Sequence, residues 1–469
     1  MPSDQASSIA DNPLLRSVTL CGLYFAQGLP YGFASIAVAA SLTKHGASAG
    51  DIAALLAAIL LPWTFKWAWG PLIDRFSGSA MGRRRPWILS AQCFMVLSVL
   101  AIAFGPDPVD HRGWLFAMLL LVNIGCSLQD VSVDALAVDQ LTDEERGRVN
   151  GFMWGSNIVG VATGGAVLGW VAAKAGLGMS ALVLAGLIIA IMLLPICVLE
   201  REGEKRFPWS QGERHAASMA PAGSAMLVVR RLFRAFSLRS TLIAVVFALG
   251  VNMTIGLLGS YSPGLLMQHL NWPQEQYSFW MGNITFVGLA GALLGGFLSD
   301  RFGPRCIAAI GGLGLSACYL SFSALSAQWV DTTFVLSYLV VETVCSAMLS
   351  VACFSMFMTL SWPLVAATQF TAYMAMLNAS RLIGTGLVGI AAPDTIDPSL
   401  VGELWWWPTM AEHAWQYHVG YLEQMKTLWA WASLVQAAPL VLLLFIDPTQ
   451  ARRVLGCAAP TLKTRAVEQ

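Results

Sequence analysis

The sequence predicts an all-α membrane protein in which twelve transmembrane helices form two six-helix halves. Three observations carry that prediction. The 469-residue chain is 56% hydrophobic and only 12% charged, where a soluble domain has about a quarter of its residues charged. Its apolar residues gather in blocks of about 20, the length a helix needs to cross roughly 30 Å of hydrocarbon. One charged loop also occurs twice, as Gly70-Pro-Leu-Ile-Asp74-Arg75-Phe76 and as Gly296-Phe-Leu-Ser-Asp300-Arg301-Phe302-Gly303-Pro-Arg305, roughly 226 residues apart. Each copy opens the loop between the second and third spans of a set of six, the mark of a duplicated architecture.

The first apolar block, about 16–42, is longer than a signal-peptide core and lacks a clear cleavage site, so it is expected to stay as span one. Blocks near 50–70, 87–105, 113–141, 148–172 and 178–199 complete the first half, 1–199. A polar segment, 200–239, is expected to connect the halves and to carry a surface helix with Arg230, Arg231 and Arg234. Blocks near 240–268, 276–298, 306–326, 332–360, 367–392 and 425–446 form the second half, 240–469, which ends in a charged tail. Its long 393–424 loop holds Trp405, Trp406 and Trp407, an aromatic group suited to a membrane–water interface or to stacking on carbohydrate.

Orientation follows from the basic residues. Arg75, Arg83, Arg84, Arg85, Arg146, Arg148, Arg201, Lys205, Arg206, Arg214, Arg230, Arg231, Arg234, Arg239, Arg301, Arg305, Arg452 and Arg453 fall on one side, against Lys44, Arg112, Lys174 and Lys426 on the other. The positive-inside rule then puts both termini in the cytoplasm. The net charge of zero gives no reason to expect nucleic-acid binding. No phosphate-binding loop, His/Cys metal cluster or enzyme motif is visible. The reading is therefore of a non-enzyme without metal or cofactor, whose partners are a small-molecule solute, protons and membrane lipids, with no obligate protein partner evident. The cysteines, most of them inside apolar blocks, read as small hydrophobes.

Charges inside apolar blocks are the functional candidates, because an unpaired charge at the bilayer centre costs roughly 3 kcal/mol or more. In span four, Asn123, Ser127, Asp130 and Asp134 fall on one helical face. The two carboxylates suit proton carriage, being able to be neutral when buried and ionised when wet. Lys66, inside span two, is their rival partner in a static ion pair and is expected at the depth of Asp134. Span one offers Tyr24, Gln27, Tyr31 and Ser35 on one face, with Gly28 and Pro30 to loosen it. Gln129, Asn252, Glu342 and Asn378 are further solute-contact candidates, and so is Arg381, whose guanidinium suits a carboxylate or phosphate. Glu342 is the alternative partner of Arg381. In the two loops, Gly70, Asp74, Arg75, Arg83, Arg84, Arg85, Asp300, Arg301 and Arg305 have the chemistry of a latch: close helix contact, a helix-end cap, and carboxylate or phosphate bridging. Thr142 and Glu145 read as a capping box, with the acidic run 143–145 within reach of the Arg83–Arg85 cluster.

These loops resemble the signature loop of the major facilitator superfamily, the first with an insertion from Ser77 to Met81. Within it, several stretches together resemble the AmpG muropeptide permeases, a family grouped with acetyl-CoA transporters: Gly28-Leu29-Pro30, Phe65-Lys66-Trp67-x-Trp69-Gly70-Pro71-Leu72-x-Asp74-Arg75, Gly82-Arg83-Arg84-Arg85-x-Trp87, Gln129-Asp130-x-x-x-Asp134-Ala135 and Asp143-Glu144-Glu145-Arg146-Gly147. Glu342, Ala367-Thr368-Gln369-Phe370 and Arg381 extend the likeness into the second half. The resemblance implies a facilitator fold in which spans one, four, seven and ten line a central cavity. It also implies proton-driven import of muropeptides across a bacterial inner membrane for cell-wall recycling. Span seven departs from the family pattern of a Lys and an Asp and offers only Asn252. Another cargo of the same fold stays open, such as an acyl-CoA-like anion, a siderophore or a drug, as does a receptor or scaffold built on a transporter fold.

Overall fold

The computed structural model describes residues 8–76, 79–141, 143–210, 225–362, 365–388, 421–447 and 450–455. Ten helices in this set are long and apolar enough to cross a membrane. One of them, Gly151–Cys197, turns at Gly176, whose φ of 85° suits a residue without a Cβ, and so supplies spans five and six. Ala366–Gly386 adds span eleven, bringing the crossings to twelve. Helices at Pro13–Lys44, Ala49–Ala68, Arg85–Phe104, Arg112–Gln140, Arg239–His269, Gln274–Phe302, Pro304–Ala324, Thr332–Leu360 and Tyr421–Phe445 match the remaining apolar blocks in order. Apart from those at its ends, a helix pairs its backbone polar groups within itself, which is why apolar segments of this length cross lipid as helices. The connecting segment carries the helix Ala225–Phe236 with the expected arginines. Trp405, Trp406, Trp407 and Thr142 lie outside the described residues.

Among the irregular stretches of the spans, those in spans one, two and seven fall beside polar candidates. Span one stays continuous through Pro30 but widens into a π-helical stretch at Phe33–Val38. Span two stops at Thr64, makes a 3-10 turn over Lys66–Ala68 and resumes as Trp69–Arg75. Span seven breaks between Gly250 and Met253, leaving Asn252 at the junction with φ −111° and ψ 7°.

The two sets of six repeat a crossing as well as a loop. In the first, spans one and five approach so closely that a Cβ on Gly28 would strike the Asn157 carbonyl and one on Gly160 the Phe25 carbonyl. In the second, spans seven and eleven do the same: a Cβ on Gly256 would strike the Arg381 carbonyl, and one on Gly384 the Met253 carbonyl. Small residues let membrane helices make backbone contact, the main source of packing energy where lipid is as apolar as the helix surface. Between the sets, span five packs along span eight and span two along span eleven.

At the Arg-rich end the first copy of the repeated loop is tied down. The Glu200 carboxylate, just past span six, accepts from the backbone N–H groups of Arg83 (2.9 Å), Arg84 (2.7 Å) and Arg85, capping span three. Arg85 is itself 2% exposed and donates to the carbonyls of Met81, Pro195, Lys205 and Arg206. Arg84 pairs with Asp139 at 2.9 Å, with Arg83 at 3.9 Å. Within the acidic run, Glu145 takes a bidentate bond from Arg16 of span one, at 2.7 and 2.9 Å. In the second copy Asp300 and Arg301 are exposed and Arg305 donates to the Ile446 carbonyl.

Candidate transport site

The polar face of span four meets span two almost residue for residue. The Trp63 indole donates to Asn123 Oδ1 (3.1 Å), the Trp69 indole to Ser127 Oγ (2.9 Å), and Lys66 Nζ to Asp130 Oδ2 (2.9 Å). Span one closes the other side. Gln27 Nε2 donates to Asp130 Oδ1 (2.5 Å), and the Tyr24 hydroxyl donates to Asp134. Lys66 also stands over the Trp63 ring, 5.6 Å from its centroid, in cation–π range.

The sequence offers Lys66 either carboxylate and places it at the depth of Asp134; its ion pair is with Asp130. Part of the reason is the turn at Lys66–Ala68. A 3-10 turn has three residues and about 2 Å of rise per residue where an α-helix has 3.6 and 1.5. Depths counted along one unbroken helix therefore misplace Lys66 by about 1.5 Å, a fraction of the roughly 6 Å between Asp130 and Asp134. Trp63 and Trp69 were not candidates, although their spacing of three on either side of Lys66 was readable.

Water access is graded along the face. Asn123 and Ser127 are fully buried, Asp130 is 6% exposed, and Asp134 is exposed. Solvent thus reaches the carboxylates from the Arg-rich end. At the opposite end the two sets of spans are joined: Gln268 Nε2 donates to the Thr43 and Ala47 carbonyls (3.0 and 3.2 Å), and Lys174 pairs with Glu275 at 2.7 Å. A site wet from one end and sealed at the other is one state of a carrier that alternates between two.

The other candidates divide. Gln129 is fully buried and donates to the Leu23 carbonyl at 2.8 Å, so it holds span four against span one rather than facing the carboxylates. Tyr31 is half-buried against the apolar core of the first set. Asn378 donates to the Trp63 carbonyl at 3.5 Å, joining span eleven to span two at the level of the charged cluster. Asn252, at the span-seven break, is 4% exposed, and its backbone N–H donates to Ser380 Oγ at 3.0 Å, one residue before Arg381. Arg381 and Glu342 influence one another electrostatically, but no direct ion pair closes between them, and Arg381 Nε is buried without a hydrogen-bond partner. Gly70 sits at the start of the Trp69–Arg75 helix, to whose backbone Asp74 and Arg75 also belong. Among the described residues no group of three His, Cys, Asp or Glu could hold a metal ion.

Twelve spans in two matched sets, with ionisable and polar side chains gathered between them, define a solute carrier of the membrane. The chain belongs to the Major Facilitator Superfamily, whose model matches residues 20–385. It is 25% identical over 342 residues to the anhydromuropeptide permease of Escherichia coli K12, covering 66% of this chain and 69% of that protein. An uncharacterised protein of Haemophilus influenzae is 30% identical over 146 residues, 31% of this chain and 34% of its own. Among solved structures, the nucleoside transporter NupG superposes with a TM-score of 0.66 at 12% identity, over 92% of this chain and 99% of that one. A D-xylose–proton symporter superposes at 0.65 with 14% identity, over 93% and 99%. At such identities the two structures speak for the fold alone. The chain is thus a multi-pass, AmpG-like transporter and not an enzyme.

Proposed function

We propose that this transporter imports anhydromuropeptides across a bacterial inner membrane, driven by protons, in the service of cell-wall recycling. The observation that carries the proposal is the cluster of Gln27, Lys66 and Asp130 beside Tyr24 and Asp134. In our reading Asp130 holds its proton or its Lys66 partner, but not both. Protonation neutralises the carboxylate, releases Lys66 and removes the electrostatic tie between spans two and four. Deprotonation restores it. Asp134, at the wet end, passes the proton to solvent. A cation–carboxylate pair that forms in one state and breaks in the other couples proton movement to a conformational change without a cofactor.

The cargo half of the proposal rests on similarity to the anhydromuropeptide permease and on side chains that suit a sugar-peptide. Arg381, with its unpaired Nε, would take a peptide carboxylate, while Asn252, Asn378, Asn123 and Glu342 would meet hydroxyl and amide groups. The moving bodies are 1–199 and 240–469, linked by 200–239, with both termini cytoplasmic and the Arg-rich end inward. The repeated loops would latch the inward end. Span seven favours keeping a second cargo class in view. Asn252 stands where the family pattern has charges, so an acyl-CoA-like anion, a siderophore or a drug is the alternative solute. Uptake assays with radiolabelled anhydromuropeptide, acyl-CoA and siderophore in proteoliposomes, with and without an inward pH gradient, decide this. We expect gradient-dependent accumulation of the muropeptide alone. Accumulation of another solute without the muropeptide would refute the cargo assignment.

A further inference from the structure

The chain leaves span six through a loop, 200–206, that begins the connector to the second set of spans. Glu200 and Glu204 in this loop are 2% and 4% exposed. Both carboxylates turn onto Gly82 of the first repeated loop. Its φ of 103° suits glycine, and a Cβ there would stand 2.7 Å from Glu200 Oε1 and 2.9 Å from Glu204 Oε2. The two acids thus meet around one point. Glu200 is committed as an anion, since it accepts from the backbone N–H groups of Arg83, Arg84 and Arg85. Glu204 is not. Its Oε2 accepts from the Arg201 N–H at 3.2 Å, while its Oε1 is buried without a hydrogen-bond partner. The charged groups that face it are Glu200 and Arg201 from its own loop and Arg85 from the start of span three. The Arg85 guanidinium is spent on the Met81, Pro195, Lys205 and Arg206 carbonyls. An ionised Glu204 therefore sits beside a fixed anion with Arg201 Nη1, 3.9 Å away, to offset it.

We propose that Glu200 and Glu204 form a proton-operated anchor for the connector, docked on the first repeated loop while Glu204 is protonated and released when it ionises. The docking contacts are local. The Lys205 N–H donates to the Ala80 carbonyl at 2.9 Å, and the Lys205 and Arg206 carbonyls accept from Arg85 at 2.9 and 2.6 Å. Repulsion between two buried carboxylates acts directly on this short stretch. Burial and the neighbouring Glu200 push the Glu204 carboxyl up to about 7. Burial raises Glu200 as well, against the pull of its three N–H bonds. The anchor therefore holds in acid and is lost as pH climbs through 7. Release frees roughly 25 Å of extended chain and lengthens the tether between the two sets by that much. On the import reading this end faces the cytoplasm, which incoming protons acidify, so import tightens its own tether.

Only that feedback rests on the transport reading. The anchor is tested without any solute, so the two fail separately. Hydrogen–deuterium exchange of the full-length chain, followed by mass spectrometry at pH 6 and pH 8.5, is the test, with rates corrected for the intrinsic pH dependence of amide exchange. Peptides covering 200–206 report the anchor, and peptides from the Arg112–Gln140 helix report the fold as a whole. We expect corrected exchange in 200–206 to rise at least tenfold in wild type between the two pH values, with the helix unchanged. Glu204→Gln, which keeps the shape and cannot ionise, should stay protected at both. Equal corrected exchange in wild type at the two pH values would overturn the proposal, and that comparison needs no variant. So would an equal rise in Glu204→Gln, or a rise shared by the Arg112–Gln140 helix.

Discussion

Asp130 accepts a hydrogen bond from Gln27 and an ion pair from Lys66 while only 6% exposed. Removing one member of such a buried pair strands the other, at a cost of about 3–5 kcal/mol, whereas removing both costs far less. We therefore predict that Lys66→Met and Asp130→Asn each lower thermal stability strongly and that the double variant recovers much of the loss. Lys66→Met with Asp134→Asn should be closer to additive, and a strong recovery there would reassign the pair. The two carboxylates were legible in the sequence, because a charge inside a 20-residue apolar block has few bland explanations. Their partners were not. Lys66 lies beyond a helix break, and Trp63 and Trp69 look like ordinary membrane aromatics until the fold turns them toward Asn123 and Ser127. Gln129 shows the converse: next to Asp130 in sequence, it faces span one.

At the level of elements, the Gly28–Gly160 and Gly256–Gly384 crossings are where the packing has least room. A side chain at either would meet a backbone carbonyl rather than a movable group. Gly28→Val and Gly256→Val should therefore sharply reduce the yield of folded protein, while Gly113→Val, where a Cβ meets nothing within 4 Å, should leave it unchanged. Size-exclusion profiles of the three variants check this. The loop after span six makes a pH prediction. Burial pushes the Glu204 carboxyl up to about 7, and Glu200 beside it adds to the rise. The unfolded chain releases this proton near the usual 4.5, so between about 4.5 and 7 the folded state holds more protons than the unfolded one. Glu204's contribution is full below 4.5 and is lost as pH climbs to 7. Glu204→Gln should flatten the fall in melting temperature over that window; an unchanged profile would contradict it. The helix order and boundaries were readable because hydrophobic block length fixes them in lipid. The span-seven break and the span-one π-stretch were not, since both depend on packing against neighbouring spans.

For the whole molecule, the two sets of spans are bound at one end and wet at the other. Gln268 contributes two hydrogen bonds to the closed end, worth about 1 kcal/mol each. Gln268→Leu should raise several-fold the labelling rate of a cysteine at Ser278, a fully buried position below that seam, by a membrane-impermeant thiol reagent in a background without native cysteines. An unchanged rate would mean that the seam is held elsewhere. The Lys174–Glu275 pair is too exposed to matter as much. The duplicated plan was legible from the loops at Gly70 and Gly296. Which end is closed was not, because both states of a carrier are built from the same helices. Proton coupling through Asp130 is the centre of the account, and it is tested most directly by gradient-driven anhydromuropeptide uptake in proteoliposomes holding equal amounts of wild type and Asp130→Asn. The account predicts that accumulation collapses in the variant while solute binding and membrane insertion persist; full gradient-dependent accumulation by Asp130→Asn would contradict it.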